Sequence, residues 1–155
     1  MEQKHIQDLE PAFWSWAKNN FAKLERFHFL GGEPFYQKQL DAMLDFVEAN
    51  PMANCEFNII TNLMVPIAVL TSKIEKIKQL VAQRKLKRFD ITVSIDCWGQ
   101  PQEYVRYPLD LTVWERNFNY LVEQKWISLI INSTVTPLTV KTLPELLEKI
   151  NAWNK

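Results

Sequence analysis

Glycine is nearly absent from this chain of 155 residues. There are three, and two of them, Gly31 and Gly32, are adjacent. Glycine adopts left-handed backbone turns without steric cost, so the adjacent pair marks a place where the chain needs one. Cysteine is scarcer still. Cys55 and Cys97 are too few for a disulfide framework, which fits a reducing compartment, the cytoplasm. They also lack the spacing of a zinc or cluster site. Net charge is absent: 18 Lys and Arg balance 18 Asp and Glu. A chain without a basic surplus has no bulk electrostatic reason to hold nucleic acid. Long apolar runs are missing too. A membrane span needs about 18 apolar residues, and the best stretch, Leu63 to Leu70, is interrupted by Pro66. Met1-Glu2-Gln3-Lys4 leads into no apolar stretch, so no secretory leader is expected. No glycine-rich loop followed by Lys and Ser or Thr marks a phosphate cradle.

What is present is ordinary globular composition with an aromatic surplus: 47% hydrophobic, 23% charged and 12% aromatic, including six Trp and nine Phe. The length supports one domain, or a substantial piece of one. Four segments read as strands: Leu24 to Leu30, Phe57 to Ile60, Phe89 to Ile95 and Ile127 to Val135. Five segments carry helical apolar stripes: Ala12 to Leu24, with Pro11 in the first turn, then Gln37 to Asn50, Pro66 to Gln83, Leu111 to Lys125 and Leu143 to Trp153. The charged run from Gln83 to Arg88 reads as a solvated helix end. The order is α-β-α-β-α-β-α-β-α with no internal domain boundary. Strands joined through helices pair in parallel, with right-handed crossovers. In the third strand Asp90, Thr92 and Ser94 alternate with Ile91, Val93 and Ile95, so one sheet face is expected to be more polar, as on the inside of an incomplete barrel.

Parallel sheets bind ligands beyond the carboxyl ends of their strands, and polar residues gather there. The ends carry Gly31-Gly32-Glu33-Pro34, Thr61-Asn62, Ser94-Ile95-Asp96 and Asn132-Ser133-Thr134. Four parallel strands span about 14 Å, so one small ligand can touch all four ends. Glycine admits a ligand to bare backbone, and Glu33 with freed carbonyls can accept from an ammonium group. The same residues also suit a tight turn and a helix start. Thr61 and Asn62 equally suit a turn or cap, and Asp96 a loop-starting turn. Cys97 to Asp110 reads as a long aperiodic loop on the ligand side. Within it Arg106, between Tyr104 and Tyr107, can clamp a carboxylate or lay its stem on aromatics. His5 and His28 are isolated, and His28, inside a strand, reads as a core histidine.

Taken in order, Phe29-Leu30-Gly31-Gly32-Glu33-Pro34, Thr61-Asn62, Ser94-Ile95-Asp96, Tyr104-Val105-Arg106 and Asn132-Ser133-Thr134-Val135 resemble the radical S-adenosylmethionine (SAM) superfamily, most closely its SPASM/twitch branch. The resemblance runs from about Leu24 to Asn151. It implies a six-stranded partial (β/α) barrel of which residues 1–155 supply the second to fifth βα units. It implies that Gly31, Gly32 and Glu33 hold the SAM amino group, with Pro34 beside them among the cofactor-binding residues. Ser94 and Arg106 then hold its carboxylate or ribose hydroxyls, Asp96 shapes that pocket, and Thr61, Asn62, Asn132 and Thr134 line the cofactor or substrate side. The implied chemistry is reductive cleavage of SAM to a 5′-deoxyadenosyl radical that abstracts hydrogen from a substrate, with a peptide or protein among the substrates the branch admits.

The chain departs from the family pattern. The Cys-x3-Cys-x2-Cys motif that holds a 4Fe–4S cluster is missing, so the chain is expected to be a truncated core without turnover of its own. Leu63 and Cys97 stand where the family usually has glycine, and the aromatic surplus is expected on surfaces that missing parts would cover. The rivals are a non-catalytic half-barrel whose open edges pair with another chain or a second copy, and another α/β enzyme using the same strand ends.

Overall fold

The computed structural model describes residues 2–154, with side chains from Leu9 to Asn154. His5 and the start of the chain at Met1–Lys4 lie outside the described side chains. The elements are α1 (Glu2–Asn20), β1 (Arg26–Phe29), α2 (Lys38–Ala49), β2 (Met52–Thr61), α3 (Ile67–Ala82), β3 (Leu86–Ser94), α4 (Gln100–Val105), α5 (Leu111–Glu123), β4 (Ser128–Asn132) and α6 (Leu143–Trp153). The four strands form one sheet in the order β1-β2-β3-β4, and every pair is parallel. The expected alternation of helix and strand is therefore present as a four-stranded parallel α/β sheet. Among the described residues no helix is long and apolar enough to cross a membrane.

Sequential strand order with right-handed crossovers places the connecting helices on one face of the sheet. The core shows which face. Phe57, Ile59, Phe89, Ile91 and Val93 are buried against Leu44, Leu70, Ile74, Trp114 and Phe118 from α2, α3 and α5. An aromatic row crosses the strands on that side. Phe27 stacks on Phe57 at 5.8 Å, Phe57 meets Phe89 at 5.8 Å, and Phe89 meets Trp126 at 6.0 Å. A second cluster joins Trp153 of α6 to Phe118 at 4.4 Å and to Trp98 at 5.8 Å. Much of the aromatic surplus is thus core rather than uncovered surface, a correction to the sequence expectation; Phe13 and Trp16 on α1 remain exposed.

The other face is polar. Register aligns Arg26 with Glu56 and Glu56 with Arg88, then His28 with Asn58, Asp90 and Ser128, then Ile60 with Thr92 and Ile130, and Ser94 with Asn132. Arg26, His28, Ile130 and Asn132 on this face are exposed. The alternation read in the third strand is the boundary between these two faces.

Several local expectations need correction. β2 begins at Met52, not near Phe57, because a register shift between Met52 and Glu56 breaks its period of two. Pro11 lies inside α1, not in its first turn, because the helix starts well before Ala12. The charged run is no helix end throughout: α3 closes at Ala82, and Leu86-Lys87-Arg88 opens β3. Cys97 to Asp110 is not aperiodic, since it contains α4. His28 is not a core histidine. It is exposed on the polar face, with Nδ1 and the Asn58 Oδ1 3.1 Å apart.

Scarce glycine has a visible consequence. All three glycines have positive φ, and so do Leu63 (φ 59°) and Arg84 (φ 56°). Arg84 lies just past the cap of α3, where its N–H donates to the Val81 carbonyl at 3.0 Å and the Lys85 N–H to the Leu80 carbonyl at 2.8 Å. Glycine usually takes that place.

Candidate functional site

The strand ends meet at one edge of the sheet, and two carboxylates tie them together in pairs. Gly31 (φ 108°) and Gly32 (φ 53°) swing the chain out of β1. The Gln37 amide donates back to the Gly31 carbonyl and closes the turn. Glu33 follows and caps the short 3-10 turn Pro34–Tyr36, its carboxylate accepting from the Phe35 N–H at 3.3 Å. That carboxylate also reaches the end of β2. It accepts from the Thr61 hydroxyl at 2.8 and 2.9 Å and from the Asn62 N–H at 3.0 Å. Burial pushes the Glu33 carboxyl above its ordinary value, against the hydrogen bonds from Thr61, Asn62 and Phe35 that favour the anion. Thr61 and Pro34 are buried, whereas Gly31 and Gly32 are exposed.

Asp96 does the same between β3 and β4. Its carboxylate accepts from Arg106 Nε at 2.6 Å, from Arg106 Nη2 at 2.8 Å and from the Thr134 N–H at 2.8 Å. Burial raises the Asp96 carboxyl, but the hydrogen bonds from Arg106 and Thr134 and the guanidinium charge outweigh it and hold the group below its usual value. Asp96 is 6% exposed. Ser133 donates to the Ile95 carbonyl beside it. Ser94 and Asn132 are register partners on the polar face just beneath.

Each residue predicted from sequence is therefore at this edge, in two groups. Gly31, Gly32, Glu33, Pro34, Thr61 and Asn62 form one, and Ser94, Asp96, Arg106, Asn132 and Thr134 form the other. The structure adds roles not legible in the spacing. Arg106 grips Asp96, and Asn62 Oδ1 accepts from the Met64 N–H at 2.8 Å, the turn geometry its residue type allows. Tyr104 and Tyr107, on either side of Arg106, are 77% and 87% exposed.

Three supporting residues were missed. Gln37 braces the glycine turn. Gln102 on α4 is fully buried, and its Oε1 accepts from the N–H groups of Asp96 at 2.9 Å and Cys97 at 3.0 Å. Asn117 on α5 is also fully buried and donates to the Leu63 and Val65 carbonyls at 2.8 Å each, holding the loop after β2. The one available signal was an amide inside an apolar helical stripe, as with Asn117 between Trp114 and Phe118.

The cysteines do not assemble. Cys97 follows β3 at the strand-end edge, whereas Cys55 lies level with the start of β3, about 23 Å away along the strand direction. Both are buried, and burial pushes both thiols up, that of Cys55 to about 11. Among the described residues no group of three His, Cys, Asp or Glu could hold a metal ion. No protein-family model, curated protein or solved structure matches the chain.

Proposed function

We propose that this chain is the SAM-binding sheet of a radical SAM-type enzyme, an incomplete (β/α) barrel that binds the cofactor at its strand ends. The observation that carries the reading is the Gly31-Gly32-Glu33 turn. It exposes bare backbone beside a carboxylate at the end of β1, on the same edge as Ser94, Asn132 and the Asp96–Arg106 pair. A SAM ammonium would be met by Glu33 and the neighbouring carbonyls. Its carboxylate and ribose hydroxyls would be met by Ser94 and by Arg106, which Asp96 holds in place. Thr61, Asn62, Asn132 and Thr134 would border the cofactor and the substrate, a peptide or protein in this reading.

A 4Fe–4S cluster does not fit the residues present. It needs three convergent thiolates, and Cys55 and Cys97 are two, buried and far apart. The proposed role is therefore cofactor binding, without cleavage by this chain alone. Isothermal titration with SAM tests it. Binding by the native chain is expected, with at least tenfold loss in Glu33→Ala. Heat-free titration of the folded native chain would remove the proposal. Iron and sulfide reconstitution that yields 5′-deoxyadenosine would remove the claim that the chain does not cleave SAM.

A further inference from the structure

We propose that His28 is a pre-set proton acceptor on the helix-free face of the sheet, held by Asn58 and Thr92 so that its Nε2 lone pair meets a hydroxyl-bearing ligand. Three strands supply the three side chains. His28 Nδ1 and the Asn58 Oδ1 lie 3.1 Å apart, and the Asn58 Nδ2 donates to the Thr92 hydroxyl oxygen at 3.1 Å. Parallel register sets this up. His28 on β1 is level with Asn58 on β2, and Thr92 on β3 sits one row further along, level with Ile60. Asn58 is 4% exposed, so its amide is fixed by these bonds, whereas His28 is exposed.

The neighbours of Asn58 decide the imidazole tautomer. Its level neighbour on β3 is Asp90, also buried. A carboxylate accepts hydrogen bonds and does not donate them. An amide oxygen turned toward β3 would face that carboxylate, so the amide NH2 belongs on the β3 side and Oδ1 on the β1 side. An amide oxygen only accepts, so Nδ1 of His28 carries the hydrogen. In neutral imidazole the other nitrogen, Nε2, is then the acceptor. An exposed histidine needs no such bracing for the fold. A base oriented by a second side chain, itself held by a third, is the arrangement that proton-transfer chemistry uses.

Whatever meets Nε2 must bring a hydrogen to donate. A hydroxyl suits the place better than an ammonium, because Arg26 lies on the same face two residues back along β1, about 7 Å away. Ile60 and Ile130 flank Thr92 in the next row and offer apolar surface to a carbon frame. In the transfer itself the O–H bond breaks, its proton passes to Nε2, and the electron pair stays on the oxygen. Nδ1–H keeps its bond to the Asn58 Oδ1, which steadies the imidazolium. Because His28 is exposed, the proton then returns to water.

This face lies beneath the strand ends and its test needs no SAM, so it stands or falls apart from the cofactor reading. The chain has two histidines, His5 and His28. A long-range proton–nitrogen spectrum of protein labelled in histidine nitrogen therefore shows two rings, and His28→Gln assigns them. At about pH 8.5, above the ordinary imidazole value, the His28 ring is expected to be mainly the Nδ1–H tautomer. Mainly Nε2–H, or an even mixture, would overturn the proposal. Thr92→Val keeps the side-chain shape and removes the oxygen. It is expected to move His28 toward the Nε2–H form, and an unchanged ring would overturn the role given to Thr92. Proton acceptance is read with p-nitrophenyl acetate. Nε2 takes a proton from water as the water oxygen attacks the ester carbonyl, the bond to p-nitrophenolate breaks, and acetate is left. The native chain is expected to release p-nitrophenolate about tenfold faster than His28→Gln. Equal rates would overturn proton acceptance by His28.

Discussion

Arg106 grips Asp96 through two parallel bonds, Nε to Oδ2 at 2.6 Å and Nη2 to Oδ1 at 2.8 Å, across ten residues of chain. The pair joins the end of α4 to the end of β3, and the third bond to Asp96, from the Thr134 N–H, extends the tie beyond β4. Arg106→Ala leaves a buried carboxylate without its counter-ion. A cost of about 2–4 kcal/mol is expected, since breaking a buried pair strands the remaining charge. The urea midpoint checks it. Arg106→Lys should recover part of the loss but not the second parallel bond.

The two strand-end carboxylates should impose opposite pH dependences. Asp96 is held below its usual value, so its contribution is present above the unfolded carboxyl value and lost as pH falls through the lower folded one. Glu33 is held above its usual value, so the folded state keeps its proton longer and stability declines as pH rises from the unfolded value through the folded one. Denaturation midpoints across the acid range should show Asp96→Asn removing the rising limb and Glu33→Gln the declining one. Superimposable curves would contradict both assignments.

Leu63 combines full burial with left-handed backbone. Leu63→Ala should cost about 2–4 kcal/mol through the cavity it leaves. Leu63→Gly removes a further methyl yet relieves about 1 kcal/mol of left-handed strain, so glycine should be at least as stable as alanine here. Thermal melts of the two variants decide it.

Asn117 connects α5 to the loop after β2 through its bonds to Leu63 and Val65. Asn117→Ala leaves the Val65 carbonyl unpaired and the Leu63 carbonyl with the Val65 N–H alone, at an expected cost of about 1–3 kcal/mol. Faster amide hydrogen exchange should concentrate at Leu63, Met64 and Val65, whereas a uniform change along the chain would deny the local bracing role.

Cys55 and Cys97 are both fully buried, with thiols shifted away from the reactive anion. Native protein should therefore resist a thiol reagent at mildly alkaline pH, and denatured protein should react at both cysteines. Rapid native labelling would show that one of them is reachable.

Periodicity made most of the elements legible. The stripe from Ile67 to Val81 predicts α3 to within a residue at each end, and α6 matches its predicted span. Local sequence was less informative where tertiary contacts intervene. The sequence pattern shortens β2 because a bulge mixes its faces, and it gives no sign of α4 because six residues are too few for a stripe. The side on which His28 falls is not in its pattern, because alternation separates the two faces of a strand without saying which one the helices cover.

By itself, the sequence determined the alternation of strand and helix, the polar character of one sheet face, and the gathering of polar residues at the strand ends. These follow from spacing along a few neighbouring residues, which backbone geometry converts directly into faces and turns. Only the tertiary structure decided the partners. Glu33 meets Thr61 across 28 residues and Asp96 meets Thr134 across 38, because parallel pairing sets consecutive strand ends side by side. It also decided that left-handed turns fall on Leu63 and Arg84 as well as on the three glycines, since packing around Leu63 and the closing turn of α3 outweigh the local preference of those side chains.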